Sequence, residues 1–157
     1  MSISVTLPDS FGYVGASLLS TVFLLLGQGS TVGKYRKRAG IAYPQMYAEK
    51  AQADASKDAF QFNCAQRAHQ NTLEYIPLVY AITIMTGIKY PIFAASSCAL
   101  WTLSRISYSR GYIQGGPEKR VNILYLLGTV VGIIGQTAAA TYVVGSWVYA
   151  DLAAKFL

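Results

Sequence analysis

Four long apolar stretches divide this chain, with most of its charge in the segments between them. They run over about 11–32, 60–86, 92–112 and 121–149. Each approaches the ~20 residues that a helix needs to cross a bilayer. A segment in lipid must satisfy its own backbone polar groups, so only helices and closed barrels can span. None of the stretches alternates apolar and polar residues as a barrel strand does. The composition agrees, at 53% hydrophobic and 13% charged, the latter about half the usual share. The pattern predicts an all-α fold, an integral membrane four-helix bundle with left-handed up-down topology. At 157 residues the chain has room for one domain, 1–157.

Local signals refine the spans. Pro8-Asp9-Ser10 starts the first helix, and Pro91 suits the first position of the third. Pro77 is predicted to kink the second. Gly128, Gly132, Gly135 and Ala138 to Ala140 let the fourth approach a neighbour closely. The N-terminus lacks the basic region of a cleavable signal peptide, so the first apolar run is read as a retained span.

The net charge is +6. Its sources lie beside the spans, which speaks for topology and against nucleic acid. The first loop holds Lys34, Arg36, Lys37, Arg38, Lys50 and Lys57, and the third Arg110, Lys119 and Arg120. The second is the tight turn Gly87 to Pro91. The positive-inside rule puts loops one and three in the cytosol and both termini on the opposite, lumenal or outer, side.

One polar cluster interrupts the apolar pattern. Arg67, Asn71 and Glu74 open the second span at i, i+4 and i+7 and share one helix face. Ionisable groups at membrane depth are expensive and usually mark a ligand or transport site. A cation, an amide and an anion on one stripe suit a zwitterionic ligand. The plainer reading is a capped, self-paired helix start, with Arg67 and Glu74 bridging to neighbouring helices. A second stripe, Arg105, Tyr108 and Tyr112, ends the third span. Its tyrosines are either site donors or part of an interfacial aromatic belt. Arg120, at or near the start of the fourth span, is either a topogenic charge or, with the helix dipole, an anion-binding group. A thiol held there would be shifted toward the thiolate.

Metal and covalent cysteine chemistry find little support. Cys64 and Cys98 form no C-x-x-C pair, and His69 is the single histidine. No metal is expected.

At these residues the chain resembles the MAPEG family, membrane-associated proteins of eicosanoid and glutathione metabolism. It most resembles the type-three microsomal glutathione S-transferases. The resemblance is carried by Val5 to Pro8, Tyr43 to Tyr47, Phe62 to Glu74, Arg105 to Tyr112 and Gly116 to Arg120. It implies a homotrimer in the endoplasmic reticulum membrane, multi-pass, with glutathione bound between protomers on the cytosolic side. Arg67, Asn71, Glu74 and Tyr75 match positions that hold the peptide, and His69 a position taken by glutamine or histidine. Arg105, Tyr108 and Tyr112 match further glutathione contacts. Arg36 and Lys37 match two basic positions near the site, the second of which is arginine in leukotriene-C synthases. Arg120 matches the arginine that polarises the thiol, with Lys119 beside it as a rival. The implied activity is conjugation of glutathione to an electrophilic lipid, reduction of a lipid hydroperoxide, or both. The alternative is a non-catalytic lipid-binding scaffold of the same fold. A channel is disfavoured, because the charges gather at one edge and not through the midplane.

Overall fold

A computed structural model describes residues 6–156. Val5, where the first matched segment begins, lies outside them. The elements in chain order are α1 (Phe11–Ala39), α2 (Lys50–Ala55), α3 (Lys57–Gly87), α4 (Pro91–Gly115), a 3-10 turn (Pro117–Lys119), α5 (Ile123–Thr129), a π-helical stretch (Val130–Gly135) and α6 (Gln136–Phe156). The last three continue one another as a single 34-residue helix, Ile123–Phe156.

Four long helices are present, two of which, Phe11–Ala39 and Ile123–Phe156, are long and apolar enough to cross a membrane, and their ends depart from the sequence expectation in instructive ways. α1 continues seven residues past 32, so Lys34, Arg36, Lys37 and Arg38 are helical and not loop charges. Basic side chains in a last turn are favourable against the helix dipole. Gly40 then stops the helix at φ 65, where its N–H reaches the carbonyls of Arg36 and Lys37. α3 likewise starts before 60, at Lys57, because Ser56 caps Ala59 N and Asp58 sits in the first turn. α3 is continuous through Pro77. Arg110 is also helical, within α4. The fourth span begins at Ile123 and not at 121, because Asn122 is the residue that caps Tyr125 N. It also runs beyond 149, to Phe156.

α1 packs on α3 and α4, and the fourth span packs on α4 and α3. Polarity runs from inside to outside. The fully buried side chains include Arg105, Gln136, Thr21, Thr72, Thr83 and Thr86, while Leu19, Phe23, Ile123, Ile134 and Tyr149 are exposed. An apolar exterior around interhelical hydrogen bonds is the arrangement of a helical membrane protein. Gln136 joins three spans: its Oε1 accepts from Thr83, its Nε2 donates to the Ala94 carbonyl, and its own carbonyl accepts from Thr86. Thr21 and Tyr80 join α1 to α3 at 2.8 Å. Small residues allow the α4 contact. A Cβ on Gly128 would strike Ser104, and one on Gly132 would strike Trp101. In this way the fourth span is held close against the helix that carries Arg105.

Candidate functional site

The polar halves of α3 and α4 meet at one end of the bundle. Arg67 donates to Glu74 through both terminal nitrogens, Nη1 to Oε1 at 2.6 Å and Nη2 to Oε2 at 3.4 Å. Seven residues is two helical turns, so the stripe read from the sequence closes on itself. Asn71, between them, donates to Glu74 Oε2 at 3.3 Å and accepts from Arg105 Nη2 at 2.8 Å. Both side chains of the ion pair stay open to the surroundings, at 42% and 54% exposure, whereas Arg105 is 1% exposed. A buried guanidinium needs hydrogen-bond acceptors. Arg105 finds them in Asn71 and in Thr72 Oγ1, which takes both Nε and Nη2 at 3.1 Å. It also lies 4.0 Å from the Tyr108 ring centroid and 5.9 Å from that of Tyr75.

An aromatic row carries the site on toward the fourth span. Tyr108 meets Tyr112 edge-on at 5.7 Å and Tyr125 at 5.2 Å. Beyond it the Arg120 guanidinium stands 5.5 Å from the Tyr112 ring. Arg120 lies three residues before α5, at the end of the 3-10 turn. Asn122 takes the Tyr125 N–H there, so part of the helix N-terminus is already satisfied. The turn is seated on the end of α4. The Lys119 carbonyl fills the space a Cβ on Gly111 would need, and the Lys119 side chain lies over Gly115. Arg120 is thereby aimed along the tyrosine row, while the stem of Lys119 is laid against α4.

Two expected residues lie apart from this row. His69 faces inward, with Nδ1 3.5 Å from Gln28 Oε1. Arg36 is buried under the α1–α2 loop, where Nη1 donates to the Gln45 carbonyl at 2.6 Å. The rings of Tyr43 and Phe62 sandwich it at 4.2 and 4.5 Å. It clasps its own loop here. Lys37 is exposed on the last turn of α1. In the same loop Tyr47 donates to Gln70 Oε1, and burial pushes the Tyr47 hydroxyl above its usual pKa, which keeps it a donor.

Thr72, Gln28 and Ser109 were not found by sequence reasoning. Thr72 is the shared acceptor beneath Arg105, and Gln28 Nε2 donates to both Thr72 and Ser109, at 3.0 and 2.7 Å. The available signal was Gln28 itself, an amide inside an apolar span.

Ten residues from α3, α4, α5 and the turn before α5 thus form one connected polar and aromatic row in a helical membrane fold. A family model for the MAPEG family matches residues 14–150. The chain belongs to the MAPEG family. It is a helical membrane protein of a family concerned with glutathione and eicosanoid metabolism, which includes glutathione transferases and members without catalysis. The match takes in most of the first and fourth long helices, all of the second and third, and every candidate residue described above. Among the described residues no group of His, Cys, Asp and Glu is placed to hold a metal ion. In this MAPEG chain the polar groups of the row are cationic, amide and phenolic, with Glu74 as the anion.

Proposed function

We propose that this chain is a glutathione-dependent membrane enzyme that acts on electrophilic lipids, lipid hydroperoxides or both. The observation that carries this reading is the continuous path from the Arg67–Glu74 pair through Asn71 and Arg105 to Tyr108, Tyr112 and Arg120. Its two ends match the two ends of the task. Glu74 and Arg67 offer an anion and a cation to the zwitterionic end of glutathione, and Arg120 offers a cation to its sulfur. The placing of the Lys119 stem over Gly115 supports Arg120 over Lys119 in that role.

The thiol proton leaves to water and Arg120 stabilises the remaining thiolate. In transfer, the sulfur electron pair forms a bond to carbon, and the displaced or ring-opened group takes a proton from water. In peroxide reduction, two glutathione molecules become the disulfide while the O–O bond becomes an alcohol and water. The protein supplies binding and charge, and no side chain serves as covalent nucleophile. Cys64 and Cys98 are both buried in apolar clusters, which agrees with this. The reading includes a homotrimer in the endoplasmic reticulum membrane, with the site at the cytosolic edge and both termini lumenal. Arg36 and His69 then act from within their own protomer's frame or toward a neighbour.

Glutathione titration of the solubilised protein, followed by ultraviolet thiolate absorbance, tests the proposal. A saturable thiolate signal at neutral pH is expected. Saturable binding without that signal would favour the lipid-binding scaffold, and absence of binding would refute both the enzyme and the glutathione site.

A further inference from the structure

A groove of about 530 Å³ lies between α1 and α4 and shares Gln28 and Ser109 with the hydrogen-bond network beneath Arg105. Its volume falls within the range of small-molecule sites. None of Arg67, Asn71, Glu74 or Arg120 lines it. Ser20 meets Thr102 at 3.4 Å and Gln28 meets Ser109 at 2.7 Å, so the two helices run parallel along it. From Ser20 to Thr31 the groove follows α1 for about 16 Å.

The walls are more apolar than their composition. Each hydroxyl on them donates to a carbonyl of its own helix: Ser20 to Ser17, Thr31 to Gly27, Thr102 to Cys98 and Ser109 to Arg105. The Gln28 amide is committed to Thr72 and Ser109. With those donors engaged, Phe23, Leu103 and Ile106 complete a surface suited to hydrocarbon. The exception is Arg110, exposed at the end of the groove near Thr31. Lys34 is one turn further along the same α1 face, also exposed. The described residues give neither cation a carboxylate partner.

We propose that the groove binds one acyl chain of an anionic membrane phospholipid, with the phosphate held by Arg110 and Lys34. Apolar length ending in two unpaired cations at the membrane edge is complementary to that lipid, and a zwitterionic headgroup would bring its own cation against them. The site is independent of the glutathione reading, and Gln28 and Ser109 form the wall between the two.

Native mass spectrometry of the full chain in detergent, with phosphatidylglycerol or phosphatidylcholine of identical acyl chains, tests this. Phosphatidylglycerol is expected to be retained in preference. Arg110→Gln should reduce that preference about fivefold, the share of one cation near a lipid surface. A Cβ on Gly27 meets nothing within 4 Å, so Gly27→Leu has room to fill the groove. It should remove the adduct while circular dichroism stays unchanged. Leu103→Trp, on the opposite wall, is a second route to the same occlusion should Gly27→Leu misfold. Equal retention of the two lipids would overturn the proposal. So would adducts that persist in a folded, filled variant. A photo-crosslink from position 106 to a second copy would instead assign the groove to a protein neighbour and overturn it as well.

Discussion

Arg120 and Glu74 sit at opposite ends of the candidate site and should fail differently when changed. Arg120→Ala removes a charge that acts on the sulfur, so it should abolish the thiolate absorbance and lower turnover about 100-fold. Glutathione binding should be largely kept, and titration calorimetry separates the two effects. A wild-type thiolate signal in that variant would take Arg120 out of the mechanism. Glu74→Gln keeps the shape of the side chain and loses its charge. It should raise the dissociation constant for glutathione roughly tenfold, with the thiolate signal per bound molecule unchanged. At this scale the sequence was readable where partners lie on one helix. Arg67, Asn71 and Glu74 announce their common face through spacing alone. Arg105 and Thr72 do not, since they meet across two helices, and no spacing encodes that distance. Arg36 showed its charge in sequence, but its clasp on the Gln45 carbonyl depends on how a loop folds back.

The turn between α4 and α5 is the element on which the position of Arg120 depends. Gly111 lets the Lys119 carbonyl approach α4 more closely than any side chain would permit. Gly111→Ala sets backbone against a new methyl group, so the turn must shift and carry Arg120 with it. The expected result is a weakened thiolate signal with unchanged helix content, read by absorbance and circular dichroism on one sample. A wild-type signal would mean that the turn has slack. Helix existence was legible from the apolar runs, and Pro91 marked a start correctly. Helix ends were less so. Lys34 to Arg38 look like loop charges when only hydropathy is considered, yet all are helical, the last turn favours Arg36, Lys37 and Arg38, and Gly40 provides the stop.

At the scale of the whole molecule, buried polar side chains hold the spans together. Gln136→Leu deletes the side-chain bonds to Thr83 and Ala94 and leaves both partners in an apolar interior. Interhelical bonds of this kind average ~0.6 kcal/mol each, so a loss of about 1 kcal/mol is expected. The midpoint of unfolding in sodium dodecyl sulfate measures it, and an unchanged midpoint would mean the partners find new bonds. The assembly of spans was foreseeable from composition. Which faces pair was not, because the bonds of Gln28, Thr83 and Gln136 run between helices far apart in sequence.

The Arg67–Glu74 pair has a consequence for what the protein can tell apart. Each member already holds the other, so a ligand that takes over the Nη1–Oε1 contact must part them. A simple carboxylate that took Arg67 would strand Glu74, and a simple amine that took Glu74 would strand Arg67. A molecule carrying both charges trades one contact for two and strands neither. On the proposed reading, the resting pair would favour a ligand that carries both charges over one that carries a single charge.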